Sequence, residues 1–259
     1  RDLPDPSHAA GQGSVPLMTA VADRLPAYSL FAALLAAAGL PIYIHAPKFY
    51  LDQYGVSLAA LGAVLFGLRL LDVVQDPLLG RLSERWRDHR AQAVTIACVI
   101  IALAMLALFA VPPLLPPLVW FGLTLTLVFS AFSFLTINFY AQGVIKAAQL
   151  PGQGHLQLAR WRETGALTGV CIAAVAPVAL GVAMAQPFAG FALGFTVLAV
   201  CAAWAMRSEW STAGLAASTG FAAVLSDPLA RRLLLIALVN AAPVAVTSSL
   251  FLFFVDMTA

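Results

Sequence analysis

Charged residues are scarce in this chain of 259 amino acids. Aspartate, glutamate, lysine and arginine make up 10% of it, whereas a soluble domain carries about 25%. Hydrophobic residues make up 61%, and the mean hydropathy is +0.91. A soluble protein with so few polar side chains could not cover its surface with them. The composition therefore indicates an integral membrane protein.

The sequence also lacks the motifs of the common enzyme classes. It contains no glycine-rich nucleotide fingerprint, no P-loop, no HExxH pair and no nucleophile elbow. Its four histidines are scattered, and its three cysteines lie in apolar runs without CxxC spacing. We therefore expect no enzyme, no cofactor and no metal other than a sodium ion. The net charge of +2 gives no reason to expect a nucleic-acid partner.

Seven segments are apolar and long enough to cross a bilayer, which takes about 20 residues. They are 27–47, 58–80, 93–112, 117–141, 163–185, 188–206 and 233–255. This pattern predicts an all-α integral membrane fold with a six-helix bundle and a seventh helix. We expect residues 1–26 to form a largely disordered cytoplasmic tail and residues 27–206 to form the six-helix bundle. Residues 207–232 would be a central cytoplasmic loop, and 233–259 the first helix of an incomplete second bundle. The unpaired seventh helix leads us to expect a truncated chain.

Basic residues are distributed unevenly between the two ends of these segments. Twelve lysines and arginines fall in the tail and in the loops after the second, fourth and sixth segments, whereas the opposite side holds Lys48 alone. Loops rich in lysine and arginine stay in the cytoplasm, so we expect a cytoplasmic N-terminus. The expected location is the plasma membrane, which in bacteria is the inner membrane, with lipids as direct neighbours of the protein.

The second segment carries three charges inside a stretch that is otherwise apolar. Arg69, Asp72 and Asp76 lie within about 60° of one another around a helix axis. A charge at the centre of a membrane helix costs at least about 2.5 kcal/mol, so this stripe cannot face lipid. Two carboxylates and one guanidinium leave one negative charge, which a proton or a bound cation could balance. The stripe is either an ion pathway or a neutralised cluster that only locks helices together.

Motifs around the stripe are similar to those of a known transporter family. The run GRLSER at 80–85 resembles the signature loop between helices 2 and 3 of the major facilitator superfamily, with glutamate where that family prefers aspartate. The run RLLDVVQDPLLG at 69–80 resembles the melibiose-permease branch, the glycoside–pentoside–hexuronide:cation symporters. The stretch YGVS at 54–57, which leads into the second segment, fits the same branch.

The resemblance implies a cation site on the second segment. In that branch the two helix-2 aspartates bind the coupling cation, which implies that Asp72 and Asp76 bind sodium or a proton here. We expect Arg69 to orient the two carboxylates. Oxygen atoms of Ser133 or Thr136 on the fourth segment could complete the shell around the ion.

The resemblance also implies a substrate site. An arginine at the start of helix 5 helps bind substrate in that branch, and Arg162, seven residues before Gly169, occupies the matching place. The alternative is that Arg162 is an interfacial charge that snorkels to the headgroups. Further candidates for this site are Asn138, Tyr140 and Asn240. The sugar-binding members carry acidic residues on helices 1 and 4, which the first and fourth segments of this chain lack.

Two further features are expected to shape the bundle. The signature loop implies a cytoplasmic gate that includes Gly80, Glu84 and Arg85. Small residues four apart, GALTG at 165–169 and GFALG at 190–194, predict close approach of neighbouring helices.

The function expected from these features is cation-coupled secondary transport. The protein would be a symporter of a small solute, with a sugar or glycoside as one candidate, driven by sodium or protons and monomeric when full length. Two alternatives remain open. One is an exporter or a carrier of lipid-like solutes in the same superfamily, and the other is a membrane scaffold or sensor that transports nothing.

Overall fold

The computed structural model describes residues 24–210, 226–237 and 239–240. The chain divides into two compact units, residues 1–213 and 214–259. In the first unit, six helices are long and apolar enough to cross a membrane. The elements in chain order are α1 (Leu25–Leu40), a π-helical segment (Pro41–His45), α2 (Ala46–Tyr54), α3 (Leu58–Arg85), a 3-10 turn (Arg87–His89), α4 (Arg90–Phe109), α5 (Pro117–Gln149), α6 (Gly154–Gly181) and α7 (Pro187–Met206). The first crossing combines α1, the π-helical segment and α2.

In the second unit, the helix of the seventh predicted segment begins earlier in the chain than the hydropathy pattern indicated. Residues 228–237 and 239–240 are helical, whereas the predicted segment starts at residue 233. The Leu229 N–H donates a hydrogen bond of 2.9 Å to Asp227 Oδ1. Such a bond satisfies an amide that has no partner within its own helix, so Asp227 caps the start. The rest of this segment and the tail before residue 24 lie outside the described residues.

On the side that carries the basic residues, three helices of the first unit extend at least five residues beyond their predicted ends, and on the other side the first crossing reaches Tyr54 instead of residue 47. Helix α3 runs to Arg85 instead of residue 80, α5 runs to Gln149 instead of residue 141, and α6 starts at Gly154 instead of residue 163. Hydropathy marks where a helix leaves the bilayer, but a helix satisfies its own backbone hydrogen bonds in water as well. Polar residues therefore do not end these helices.

This extension corrects the prediction of a gating loop at 80–85. Gly80, Glu84 and Arg85 lie in the last turns of α3, and the chain leaves the helix only at Trp86. Glu84 Oε1 lies 3.3 Å from Arg87 Nη1, an ion pair that spans the end of the helix. The connection to α4 is consequently a short turn.

The stretch YGVS forms a tight turn between the first two crossings. Gly55 adopts φ 64°, a left-handed conformation that glycine reaches without strain. Its N–H donates to the Leu51 carbonyl at 3.1 Å and closes α2. Ser57 Oγ then accepts a hydrogen bond of 3.3 Å from the Ala60 N–H and opens α3. These residue types explain how one crossing can follow another after three residues.

Helix α1 packs closely against α6 through the small residues at 165–169. A Cβ atom on Gly165 would lie 2.6 Å from the Ser29 carbonyl carbon, and one on Gly169 would lie 2.7 Å from Ala33 Cα. Both distances are too short for real carbon atoms, so the prediction of close approach is confirmed for α6. For α7 the outcome is divided: a Cβ built on Gly190 would lie 2.9 Å from Met184 Sδ and 3.4 Å from Leu180 Cδ1 of α6, whereas nothing lies within 4 Å of one built on Gly194.

Helix α3 is the least covered of the crossings. Only 11% of its apolar window is buried, against 56% for the window of α4. It packs mainly against α5, while α1 packs against α6 and α7. The charged stripe therefore lies on a loosely packed helix, and α5 connects that helix to the rest of the bundle.

Candidate functional site

A cavity of about 440 Å³ lies between the first crossing, α3 and α5. We call it the carboxylate cavity. Helix α3 contributes Arg69, Asp72 and Asp76 to its lining, and α5 contributes Ser133 and Thr136. The structure thus brings together all five residues that the sequence pointed to for the cation site and its support. Their role in binding a cation stays a prediction.

Arg69 contacts one of the two carboxylates. Its Nη1 lies 3.4 Å from Asp72 Oδ2, and the Asp72 side chain is only 14% exposed. Within the described residues, no hydrogen bond or ion pair reaches Asp76. The structure thus gives Arg69 a contact with Asp72 alone, and its role in orienting the two aspartates stays a prediction. One carboxylate of the cavity is left without a compensating charge.

Two oxygen atoms in the lining of the carboxylate cavity are buried without a partner. Asp72 Oδ1 and Thr136 Oγ1 form no hydrogen bond among the residues that the structure describes. Leaving a buried polar atom unpaired costs about 1–3 kcal/mol. Carboxylate and hydroxyl oxygens are the ligands that hard cations prefer, and a proton on one carboxylate would supply the missing donor equally well. The donor set fits sodium or a proton.

Two aromatic rings that the sequence did not connect with the charged stripe also line the carboxylate cavity. The Arg69 guanidinium carbon lies 4.7 Å from the centre of the Tyr43 ring and 5.6 Å from that of Phe129. Tyr43 belongs to the π-helical segment and Phe129 to α5. No spacing within the sequence connects these rings to Arg69, because they come from two other crossings.

A second cavity, of about 240 Å³, lies between α1, α5 and α6. We call it the arginine cavity. The Arg162 guanidinium carbon lies 4.8 Å from the centre of the Tyr140 ring, and Arg162 Nη2 lies 3.0 Å from Glu163 Oε1. The two cavities share three lining residues, Gly39, Phe132 and Thr136. The predicted substrate residues Arg162 and Tyr140 are therefore direct neighbours of the carboxylate cavity.

The other two predicted substrate residues lie elsewhere. Asn138 is 1% exposed, accepts a hydrogen bond of 2.8 Å from Ser83 Oγ and donates one of 2.8 Å to the Phe134 carbonyl. It lines neither cavity, so in this structure it connects α3 to α5 and is not open to a solute. Asn240 belongs to the second unit and is exposed there.

A buried ion pair joins α5 to the residues after α7, at the end of the bundle that carries the basic residues. Lys146 Nζ lies 3.1 Å from Glu209 Oε2, with the two side chains 9% and 10% exposed. Hydropathy placed Lys146 in a loop, but it lies inside α5 and ties that helix to the residues after α7. No sequence signal could have paired two residues so far apart in the chain.

Comparison with known proteins gives the family. Residues 26–259 match the family described as MFS/sugar transport protein, a family of transporters and not of enzymes. No curated protein and no solved structure matches the chain. Apart from Leu25, the matched range contains all the described helices and both cavities, and it agrees with the resemblance to the melibiose-permease branch. This chain belongs to the MFS/sugar transport protein family and is an integral, multi-pass membrane transporter of the major facilitator superfamily.

Proposed function

We propose that the protein is a symporter in which Asp72 and Asp76 together bind one coupling cation, either sodium or a proton. One observation carries this proposal. A single cavity collects both carboxylates with the hydroxyl groups of Ser133 and Thr136, while Arg69 contacts only one carboxylate. A carboxylate that no cationic side chain compensates attracts a cation, and the same cavity supplies further oxygen ligands for one.

The arginine cavity supports a small polar solute as the cargo. Arg162 offers hydrogen-bond donors, Glu163 offers acceptors and Tyr140 offers an aromatic face, a combination that suits the hydroxyl groups and apolar edges of a sugar. The family's description also names sugar transport. Because Thr136 lines both cavities, occupation of one alters a wall of the other. This shared wall is the proposed route by which cation and solute binding are coupled.

Transport by the full chain in proteoliposomes tests the cation site. The parent protein is screened for uptake of labelled mono- and disaccharides under an imposed sodium or proton gradient, and then for solute exchange without a gradient. We expect Asp72→Asn and Asp76→Asn to lose gradient-driven accumulation but to keep exchange. The matched control is Asp88→Asn, an exposed aspartate that lines neither cavity. Accumulation at the parent level by both cavity variants would exclude this site.

We also propose that the N-terminus lies in the cytoplasm of a bacterial inner membrane. The support is the sequence asymmetry of twelve basic residues against Lys48 alone. Single cysteines at Asp52 and Asp88 are labelled from outside intact cells with a reagent that does not cross membranes. We expect labelling at position 52, and labelling at position 88 alone would reverse the topology.

A lipid-like solute is the second candidate, and one observation favours it. The side of the arginine cavity that α1 forms consists of Ala32, Leu35, Ala36 and Gly39, so no polar side chain faces the cargo from there. An amphiphile could lay its apolar part against this wall. Competition for uptake distinguishes the two candidates. If a single-chain lipid inhibits sugar uptake at a lower concentration than any sugar does, the result supports the lipid-like solute. A scaffold would instead keep its activity unchanged in Asp76→Asn.

A further inference from the structure

The surroundings of Arg69 show what holds its side chain in place. Its guanidinium carbon lies 4.7 Å from the Tyr43 ring centre and 5.6 Å from the Phe129 ring centre. The two rings meet edge to face, with centres 5.7 Å apart and an interplanar angle of 64°. They form a corner, built from the first crossing and α5, for a side chain that comes from α3. We call it the aromatic corner.

Without the aromatic corner, the Arg69 side chain could adopt a different position. Its side chain is long and 57% exposed, and Asp72 Oδ2, at 3.4 Å, is its hydrogen-bond acceptor. Asp76 lies seven residues further along the same face of α3, one turn beyond Asp72. A guanidinium carries five donors in a planar fork and pairs readily with carboxylates. A released Arg69 could therefore bridge both carboxylates and occupy the place of the coupling cation.

We propose that Tyr43 and Phe129 are positioning residues that keep Arg69 away from Asp76. The two rings attract the guanidinium through their negative faces and so hold it beside Asp72. Asp76 then stays available for the coupling cation. This inference rests on the proposed cation coupling and adds that the protein prevents its own arginine from competing with the ion.

The position of Tyr43 in the chain supports a specialised role. It lies at the centre of the π-helical segment Pro41–His45, inside a long crossing that is otherwise α-helical. Pro41 has no N–H to donate to a preceding carbonyl, which gives the irregularity a cause in the sequence. Single π-helical turns inside α-helices occur frequently at functional sites. Here the irregular turn carries the ring that contacts Arg69.

Transport measurements with Tyr43 variants test the inference. The full chain in proteoliposomes is assayed for initial uptake against sodium concentration at fixed pH, and against pH at fixed sodium. We expect Tyr43→Leu to raise the half-saturating cation concentration about two- to thirtyfold, the range for one lost cation–π contact. The maximal rate at saturating cation should not change. Tyr43→Phe keeps the ring and should behave like the parent protein.

Matched controls separate this role from general packing. Tyr54→Leu removes a half-buried ring that contacts Phe49 and Tyr50 but lies outside the carboxylate cavity, and it should leave the cation dependence unchanged. Arg69→Gln removes the group that Tyr43 is proposed to hold. In that background, Tyr43→Leu should cause no further shift, because the ring acts only through the arginine.

Cation binding is also measured without transport, as the shift in melting temperature of the purified protein on adding sodium or on changing pH. This readout covers variants that fold but do not transport, and Phe129→Leu replaces Tyr43→Leu if the latter does not fold. An unchanged cation dependence of Tyr43→Leu, or an equal shift with and without Arg69, overturns the inference. A loss in Tyr43→Phe as large as in Tyr43→Leu also overturns it, because it would make the hydroxyl group the active part. A parent protein without any cation dependence overturns the proposed function as well.

Discussion

The contact between α1 and α6 makes a quantitative prediction about a single methyl group. In Gly165→Ala the new Cβ would lie 2.6 Å from the Ser29 carbonyl carbon and 2.7 Å from Ser29 Cα. Ordinary carbon contacts lie at about 3.5–4.0 Å, so the two backbones would have to separate by roughly 1 Å. Overpacking of this kind costs about 1–3 kcal/mol. Alanine also favours the helix by about 1 kcal/mol over glycine, which partly hides that cost.

A substitution at a second glycine provides the reference that removes the gain in helix propensity from the comparison. Gly194 lies within α7, and a Cβ there meets nothing within 4 Å, so Gly194→Ala should gain the helix term alone. The difference between the two variants isolates the overpacking cost, about 1–3 kcal/mol in favour of Gly194→Ala. Unfolding in denaturant, followed by circular dichroism in one detergent, measures both. Equal stabilities would show that the two helices can separate without cost, and the reasoning from this contact would fail.

Three further predictions concern charged and polar side chains that pair between or along the helices. Lys146→Met should destabilise by about 3–5 kcal/mol because it leaves Glu209 buried and unpaired, and changing both residues to apolar ones should restore most of the loss. Asn138→Ala should cost about 1–3 kcal/mol through the broken bond to Ser83, yet leave the apparent affinity for solute unchanged. Arg69→Ala should lower stability more than either aspartate-to-asparagine change, because it leaves two carboxylates uncompensated. Denaturant unfolding and uptake kinetics check these results, and the opposite ranking in any of them would contradict the corresponding contact.

The six crossings of the first unit could be predicted from the sequence, because bilayer thickness fixes the length of an apolar span. Their ends could not. The helix boundary at Gly154 lies nine residues before the start of the apolar segment at residue 163, since backbone hydrogen bonds continue a helix into water. The same reasoning applies to α3, where an apolar count ends at residue 80 but the helix continues to Arg85.

The two cavities show which site residues a sequence can reveal. Arg69, Asp72 and Asp76 share a face by helical geometry alone, so their grouping follows from their spacing. Asn138 and Tyr140 are two residues apart and point about 160° apart around α5, so a helical wheel already opposes placing both in one site. The structure places Tyr140 in the arginine cavity and buries Asn138.

Contacts between crossings could not be derived in this way. The aromatic corner brings residues 43, 69 and 129 together from three crossings, and the buried pair joins residues 146 and 209. A pattern within one helix specifies which residues share its face, but not which face of another helix lies opposite. Those pairings depend on how the helices pack, which a single sequence does not show.

The uneven packing around the carboxylate cavity leads to a last prediction. One wall belongs to the first crossing, which is fixed to α6 by backbone contact, and another belongs to α3, the least buried of the crossings. Elements that move during function come from the weakly packed parts of a protein. We therefore expect cation binding to shift α3 relative to the first crossing, while the first crossing and α6 stay together.

Spin labels at exposed positions measure these two distances in the reconstituted full chain. One pair joins Ile44 in the first crossing to Val74 on α3, and the reference pair joins Ile44 to Leu167 on α6. Electron paramagnetic resonance with and without sodium, at high and low pH, should change the first distance distribution and leave the second unchanged. A fixed distance between Ile44 and Val74, together with a changed reference pair, would place the moving boundary at the α1–α6 contact. In that case the two helices would move relative to each other at the backbone contact of Gly165 and Gly169, and this contact would not hold them together during cation binding.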